Sequence, residues 1–176
     1  MPALKINRLV NLHDARYCAA IEIEYVGFAL ERGSMYKLPE AHVGRIASWL
    51  EGPRTVLEFG DDTEAMEAYL AEHTVPTETL FQLNLGVDYP AEAMPLDRRV
   101  IRLAAQTPAE MAERADALIA LADDVHLVEL APLKGALSDW QDTLDDVLAQ
   151  VFNACLDIDA FGDEAHGEFA VVPEVA

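Results

Sequence analysis

The chain has 176 residues, 52 % of them hydrophobic, and a formal net charge of −20. That length and apolar share suit a single domain, residues 1–176, with a proper core. The charge argues against nucleic acid or an anionic membrane surface as partners, and no apolar run reaches the ~18 residues of a membrane span. The N-terminus lacks a basic-then-apolar leader, so a cytoplasmic protein is expected. The charge is uneven: between residue 107 and the end, Arg114 and Lys134 alone oppose the acids. Only three of the twelve basic residues are lysines. Acid excess with scarce lysine fits either salt adaptation or ordinary acidic helix faces. Cys18 and Cys155 lie far apart without metal-ligand spacing and read as buried, reduced thiols.

In chain order, Leu4 to Val10 alternates apolar and polar residues as a strand does. Asn11 with Asp14 three residues on marks a helix start, and that helix runs to about Ile21. Glu24 to Ala29 is a second strand. After the loop at Glu31–Ser34, Pro39 opens a helix with Val43, Ile46, Ala47 and Leu50 as its apolar stripe. Gly52-Pro53 ends it. Thr55 to Gly60 is a third strand, and Asp62 caps a third helix. Thr79 to Leu83 is a fourth strand. Gly86 to Asp97, with two prolines, reads as a loop or a single turn where the rhythm calls for a helix.

Arg99 to Ala104 is a fifth strand. Thr107-Pro108-Ala109-Glu110 starts the next helix with cap, proline and glutamate together. Val125 to Leu130 is a sixth strand. Ser138 and Gln141 have capping-box spacing before a helix lined by Trp140, Leu144 and Val147. Ala154 to Ile158 is a seventh strand and Phe169 to Val172 a candidate eighth. The ten or so residues between them are too few for a proper helix.

Strands alternating with helices mean a parallel sheet, closed as a barrel or open and doubly wound. No Gly-x-Gly-x-x-Gly follows the first strand, which weakens the nucleotide-binding open sheet. Asn7, Glu58, Gln82 or Asn84, Arg102, Glu129 and Asp157 or Asp159 fall near C-terminal strand ends. In a barrel those ends share one mouth, where such folds carry their sites.

The segments Lys5-Ile6-Asn7-Arg8, Asn11 to Ala15, Tyr25-Val26-Gly27-Phe28, Ser34 and Pro39-Glu40 resemble the opening of phosphoribosylanthranilate isomerase, a tryptophan-biosynthesis family. That opening reads K-I-C-G, then T-x-x-x-D-A, then G-x-x-x-x-G-F, then S-x-R-x-V-x-P-E. Val56–Phe59, Phe81–Asn84, Val100–Arg102, Leu127–Glu129 and Asp139-Trp140 continue the resemblance in order. It spans roughly residues 4–140. It implies a TIM-type (β/α)8 barrel, here shortened, with the fourth, seventh and eighth helices reduced or missing. It also implies no cofactor and no metal, a small-molecule ligand, and Asn7 and Glu129 at the positions of the family's general base and general acid.

The departures are chemical. The family's base is the cysteine of K-I-C-G, which takes a proton from the substrate's sugar; Asn7 has no such basicity. The family's acid is an aspartate that protonates the opening ring oxygen; Glu129 is one methylene longer. Arg8 stands where the pattern has glycine, and Asn84 where it has histidine. The S-x-R arginine after Ser34 is absent. Asp157, Asp159 and Pro173 suit a phosphate nest poorly. Arg8, Ser34, Gln82, Asn84 and Arg102 remain as ligand-binding candidates around the mouth. Asp157, Asp159, Asp163, Glu164 and His166 read as a solvated acidic loop. The other four histidines read as surface or core residues. Missing helices would leave apolar faces for a partner to cover, so a homodimer is expected.

Overall fold

The structure, a computed structural model, describes residues 3–90, 94–151 and 153–159, the last three as backbone. Seven strands form one closed parallel barrel: β1 (Ala3–Asn7), β2 (Tyr25–Ala29), β3 (Arg54–Gly60), β4 (Leu80–Asn84), β5 (Arg99–Ala105), β6 (Leu127–Pro132) and β7 (Ala154–Asp159). Each strand pairs with the next in sequence. β7 then pairs directly with β1, from Ala3 beside Cys155 to Asn7 beside Asp159. The ring therefore closes with seven strands among the described residues. The candidate eighth strand, Phe169–Val172, lies outside them, as do Asp163, Glu164, His166 and Pro173.

Five helices cover the wall: α1 (Leu12–Ala20), α2 (Glu40–Ala47), α3 (Thr63–Glu72), α4 (Pro108–Ile119) and α5 (Gln141–Leu148). The starts of α1, α3 and α4 are set by side chains that satisfy free backbone N–H groups. Asn11 Oδ1 accepts from Asp14 N at 2.9 Å, Asp62 Oδ1 from Ala65 N at 3.1 Å, and Thr107 Oγ1 from Glu110 N at 3.2 Å. The pairing of Ser138 with Gln141 is not what opens α5. A 3₁₀ turn over Leu137–Trp140 precedes it, and there Ala136 N donates to Asp139 Oδ2 at 3.2 Å. The sheet's outer face and the helices enclose two apolar clusters, one beneath α1–α3 and one beneath α4 and α5. Met66, Met111 and Trp140 sit inside them as packing residues, and both cysteines are buried and free.

Among the described residues, the connection from β4 to β5 holds a 3₁₀ turn, Leu96–Arg98, and no α-helix. Tyr89 takes over part of the missing helix's work. Its ring packs against both apolar clusters. Its hydroxyl accepts from Leu83 N on β4 and Val100 N on β5, both at 3.1 Å, and faces the carbonyls of Phe81 and Val100. One phenol thus stitches two neighbouring strands, and burial pushes its pKa up. The Arg99 guanidinium lies 5.2 Å above the ring and also donates to Met94 O.

Inside the barrel, alternate residues of each strand point inward. Ala3, Tyr25, Val56, Leu80, Val100, Leu127 and Cys155, one from each strand, form an apolar floor at the N-terminal end. Two residues further along five of the strands come Lys5, Glu58, Gln82, Arg102 and Glu129. The interior therefore changes from apolar to charged within one pleat.

Candidate functional site

Lys5 is the centre of the charged layer. It is fully buried, and among the described side chains its ammonium group meets Asn7, Glu58 and Glu129. Nζ donates to Asn7 Oδ1 on its own strand, lies 2.6 Å from Glu58 Oε1 on β3, and lies 3.1 Å from Glu129 Oε2 on β6. The other Glu129 oxygen, Oε1, lies 3.0 Å from Arg102 Nε on β5. Arg102 and Glu129 are register partners on adjacent strands, so the backbone sets that pair. Lys5 instead reaches across the barrel, which a long flexible amine can do. Among the described side chains, two cations and two carboxylates pair in this space. Only such pairing makes a buried charge tolerable.

A glycine makes room for this arrangement. A Cβ on Gly27 would stand 1.7 Å from Glu58 Oε1 and 2.8 Å from Asn7 Oδ1. Gly27 lies on β2, between β1 and β3, and the Glu58 carboxylate fills the space that any other residue would claim. Glu58 is one of the strand-end polar residues of the sequence, while nothing in the sequence around Lys5 marks it as a centre. The usable signal was parity: Lys5 and Asn7 are two apart on one strand and must face the same way.

The remaining candidates divide into two groups beside this centre. Gln82 Nε2 donates to Asn84 Oδ1 at 3.2 Å, and Asn84 Nδ2 donates to Asp61 Oδ1 at 3.1 Å. This short amide relay leads from the buried layer to the rim. On the other side, Arg8 lies 5.3 Å above the Tyr36 ring, and Ser34 Oγ accepts from Tyr36 N at 3.3 Å. Arg8 has φ of 55°, in the left-handed region. That conformation costs a non-glycine residue roughly 1–2 kcal/mol. It is the position at which the resembling pattern carries glycine.

Of the histidines, His126 lies one residue before β6 and not within it. Arg54 Nη1 donates to its Nε2 at 2.5 Å. Burial, and then the Arg54 charge, pull its pKa down. His73 caps α3 and approaches Glu40.

These features define a TIM-type parallel barrel with a charged, closely paired interior toward the C-terminal strand ends. Solved phosphoribosylanthranilate isomerases have similar structures. The enzyme from Thermotoga maritima aligns over 94 % of this chain and 91 % of its own, with TM-score 0.60 and 15 % identity. The Thermus thermophilus enzyme aligns over 93 % and 90 %, with TM-score 0.55 and 19 % identity. A phosphoribosylanthranilate isomerase in complex with reduced 1-(o-carboxyphenylamino)-1-deoxyribulose 5-phosphate aligns over 94 % and 90 %, with TM-score 0.60 and 16 % identity. No family model matches the sequence, and no curated protein matches it. At such identities the likeness is one of fold. Among the described residues, no helix is long and apolar enough to cross a membrane.

Proposed function

We propose that this phosphoribosylanthranilate isomerase-like barrel no longer isomerises and that its charged interior serves a small polar ligand or the barrel's own architecture. One observation carries the reading: the side chains at the base and acid positions are engaged with Lys5. Asn7 offers an amide, which takes no proton near neutral pH, and its oxygen already accepts from Lys5. Both Glu129 oxygens are already engaged by cations, Oε2 by Lys5 and Oε1 by Arg102. Aldose–ketose isomerisation needs one group to remove a proton from the sugar and another to protonate the departing ring oxygen. Neither position is equipped for its half. What remains suits a neutral polar ligand, held by the Gln82–Asn84 relay and Arg102.

A second reading keeps the enzyme, with Glu129 as general acid. It is favoured by the position of Glu58, a carboxylate bridged to Glu129 through the same ammonium group. Glu58 would then stand in for the absent thiolate. Purified protein incubated with phosphoribosylanthranilate separates the two. We expect no turnover. Turnover that Glu129→Gln abolishes would overturn the first reading, and absence of both turnover and binding would remove the second.

A further inference from the structure

Outside the barrel, Glu40 at the start of α2, Glu72 at the end of α3 and His73 just after it bring one ligand atom each to within 4.8 Å of one another. We propose that these three residues bind a divalent transition metal, Zn²⁺ by their chemistry, and that the ion ties α2 to α3.

The imidazole carries the argument. His73 Nδ1 lies 3.0 Å from the Tyr69 carbonyl oxygen. A carbonyl only accepts, so Nδ1 holds the hydrogen. In the neutral ring the lone pair is then on Nε2, and Nε2 faces Glu40 Oε2 at 3.2 Å. Two electron-rich atoms then meet at contact distance, and either a proton or a metal ion can join them. A proton would join His73 to Glu40 and leave Glu72 without a share. A divalent ion uses all three donors and balances both carboxylates.

The geometry agrees. Ligand atoms about 2.0–2.2 Å from a tetrahedral zinc ion stand roughly 3.4 Å apart. The Glu40–His73 spacing is already close to that, and Glu72, exposed at a helix end, can swing the remaining distance. The ring is held in place from behind. Tyr69 stacks on it at 4.4 Å with an interplanar angle of 11°, and the Nδ1–H bond to a carbonyl is the usual outer-shell partner of a metal-bound histidine. Imidazole with carboxylates selects zinc-like ions over Mg²⁺ and Ca²⁺, which prefer oxygen alone.

Consequences reach beyond the three side chains. Between α2 and α3 lies a cleft of about 510 Å³ lined by Val43, Gly44, Leu57, Tyr69 and Val75 among others. Tyr69 forms part of its wall and also backs His73. An ion at this point would fix the distance between the helices that bound the cleft.

Calorimetric titration of the full chain with ZnCl₂ in chelator-free buffer tests this, alongside melting curves with Zn²⁺ or Mg²⁺. We expect one saturable equivalent of Zn²⁺ and a higher Tm with Zn²⁺ but not with Mg²⁺. Glu40→Gln and His73→Gln should each weaken binding at least tenfold, with circular dichroism unchanged. Glu72→Gln, at an exposed position, should weaken it less. His166→Gln, which removes the imidazole of the acidic run near the C-terminus, should leave binding as it was. Absence of saturable binding, equal binding in His73→Gln, or loss of binding in His166→Gln would each overturn the proposal.

Discussion

The floor of the barrel and the layer above it are built by the same strands, two residues apart. Below, Val56, Leu80, Val100, Leu127 and Cys155 are buried and apolar. Above, Lys5, Glu58, Gln82 and Glu129 are equally buried and carry charge or amide. Removing an apolar side chain such as Leu80 from water contributes about 1.5–3 kcal/mol. Burying a charge costs several kcal/mol before pairing, and pairing at best roughly offsets it. The floor therefore holds the ring together, while the charged layer contributes little net stability. The contrast also shows why one wall can carry both: strand parity fixes which residues face inward and leaves their chemistry open.

The sharpest way to break the contrast is to remove the centre of the upper layer. Lys5→Met takes the cation from between Glu58 and Glu129 and leaves two carboxylates without it. The loss in urea unfolding should be about 3–5 kcal/mol, the range for stranding buried charge. Adding Glu58→Gln and Glu129→Gln should recover most of it, because the charges that needed Lys5 are gone. Leu80→Ala on the floor should cost about 2–5 kcal/mol, and no neighbouring substitution of similar simplicity should restore it. If Lys5→Met costs under ~1 kcal/mol, water reaches the layer and the distinction from the floor falls.

A smaller change sharpens the same point. Gly27→Ala puts a methyl group into the space of the Glu58 carboxylate. Overpacking of this kind costs about 1–3 kcal/mol. In a Glu58→Ala background the severe clash is gone and only the Asn7 amide oxygen, 2.8 Å away, is left to give way, so the cost should fall by at least half. A double-mutant cycle reads that coupling directly. Equal costs in both backgrounds would mean that Gly27 answers to the backbone and not to Glu58.

The strand and helix order was legible largely because three helix starts carry a local signal. Asn11, Asp62 and Thr107 cap where their spacing says they should. The absent fourth helix was legible from two prolines, but Tyr89 as its replacement was not, since its bonds join residues brought together only by β4 and β5. The convergence of Asn7, Arg102 and Glu129 followed from strand-end position once a barrel was assumed. Lys5 and Glu58 did not follow, because nothing local marks a lysine that will reach across a barrel or a glutamate that will occupy a glycine's empty side. Arg8 is intermediate. Its resemblance to a glycine position was visible, and only the backbone angle explains it.

The smallest expected effect comes from a reference pair on the barrel's rim. Arg32 grips Asp62 with two side-chain bonds, Nε to Oδ2 at 2.8 Å and Nη2 to Oδ1 at 2.7 Å, and its backbone N–H adds a third at 2.9 Å. Chiefly through the Arg32 hydrogen bonds, the Asp62 pKa is lowered, despite an opposing push from burial. A carboxylate lowered on folding binds protons less readily than in the unfolded chain. Its contribution is therefore fully present above the ordinary aspartate value of about 3.9 and is lost as pH falls through the lower folded value. Asp62→Asn keeps a capping oxygen for Ala65 and removes the ionisation, so it should flatten the acid limb of a Tm-against-pH profile. Salt distinguishes this pair from the interior. Arg32 is 62 % exposed, so raising ionic strength should shrink the difference between wild type and Asp62→Asn. The Lys5→Met penalty, screened from solvent, should stay as it is. Acid limbs that run parallel in wild type and Asp62→Asn would show the rim pair to be decoupled from folding, and a salt-sensitive Lys5→Met would place the interior charges in the same solvated class as the rim.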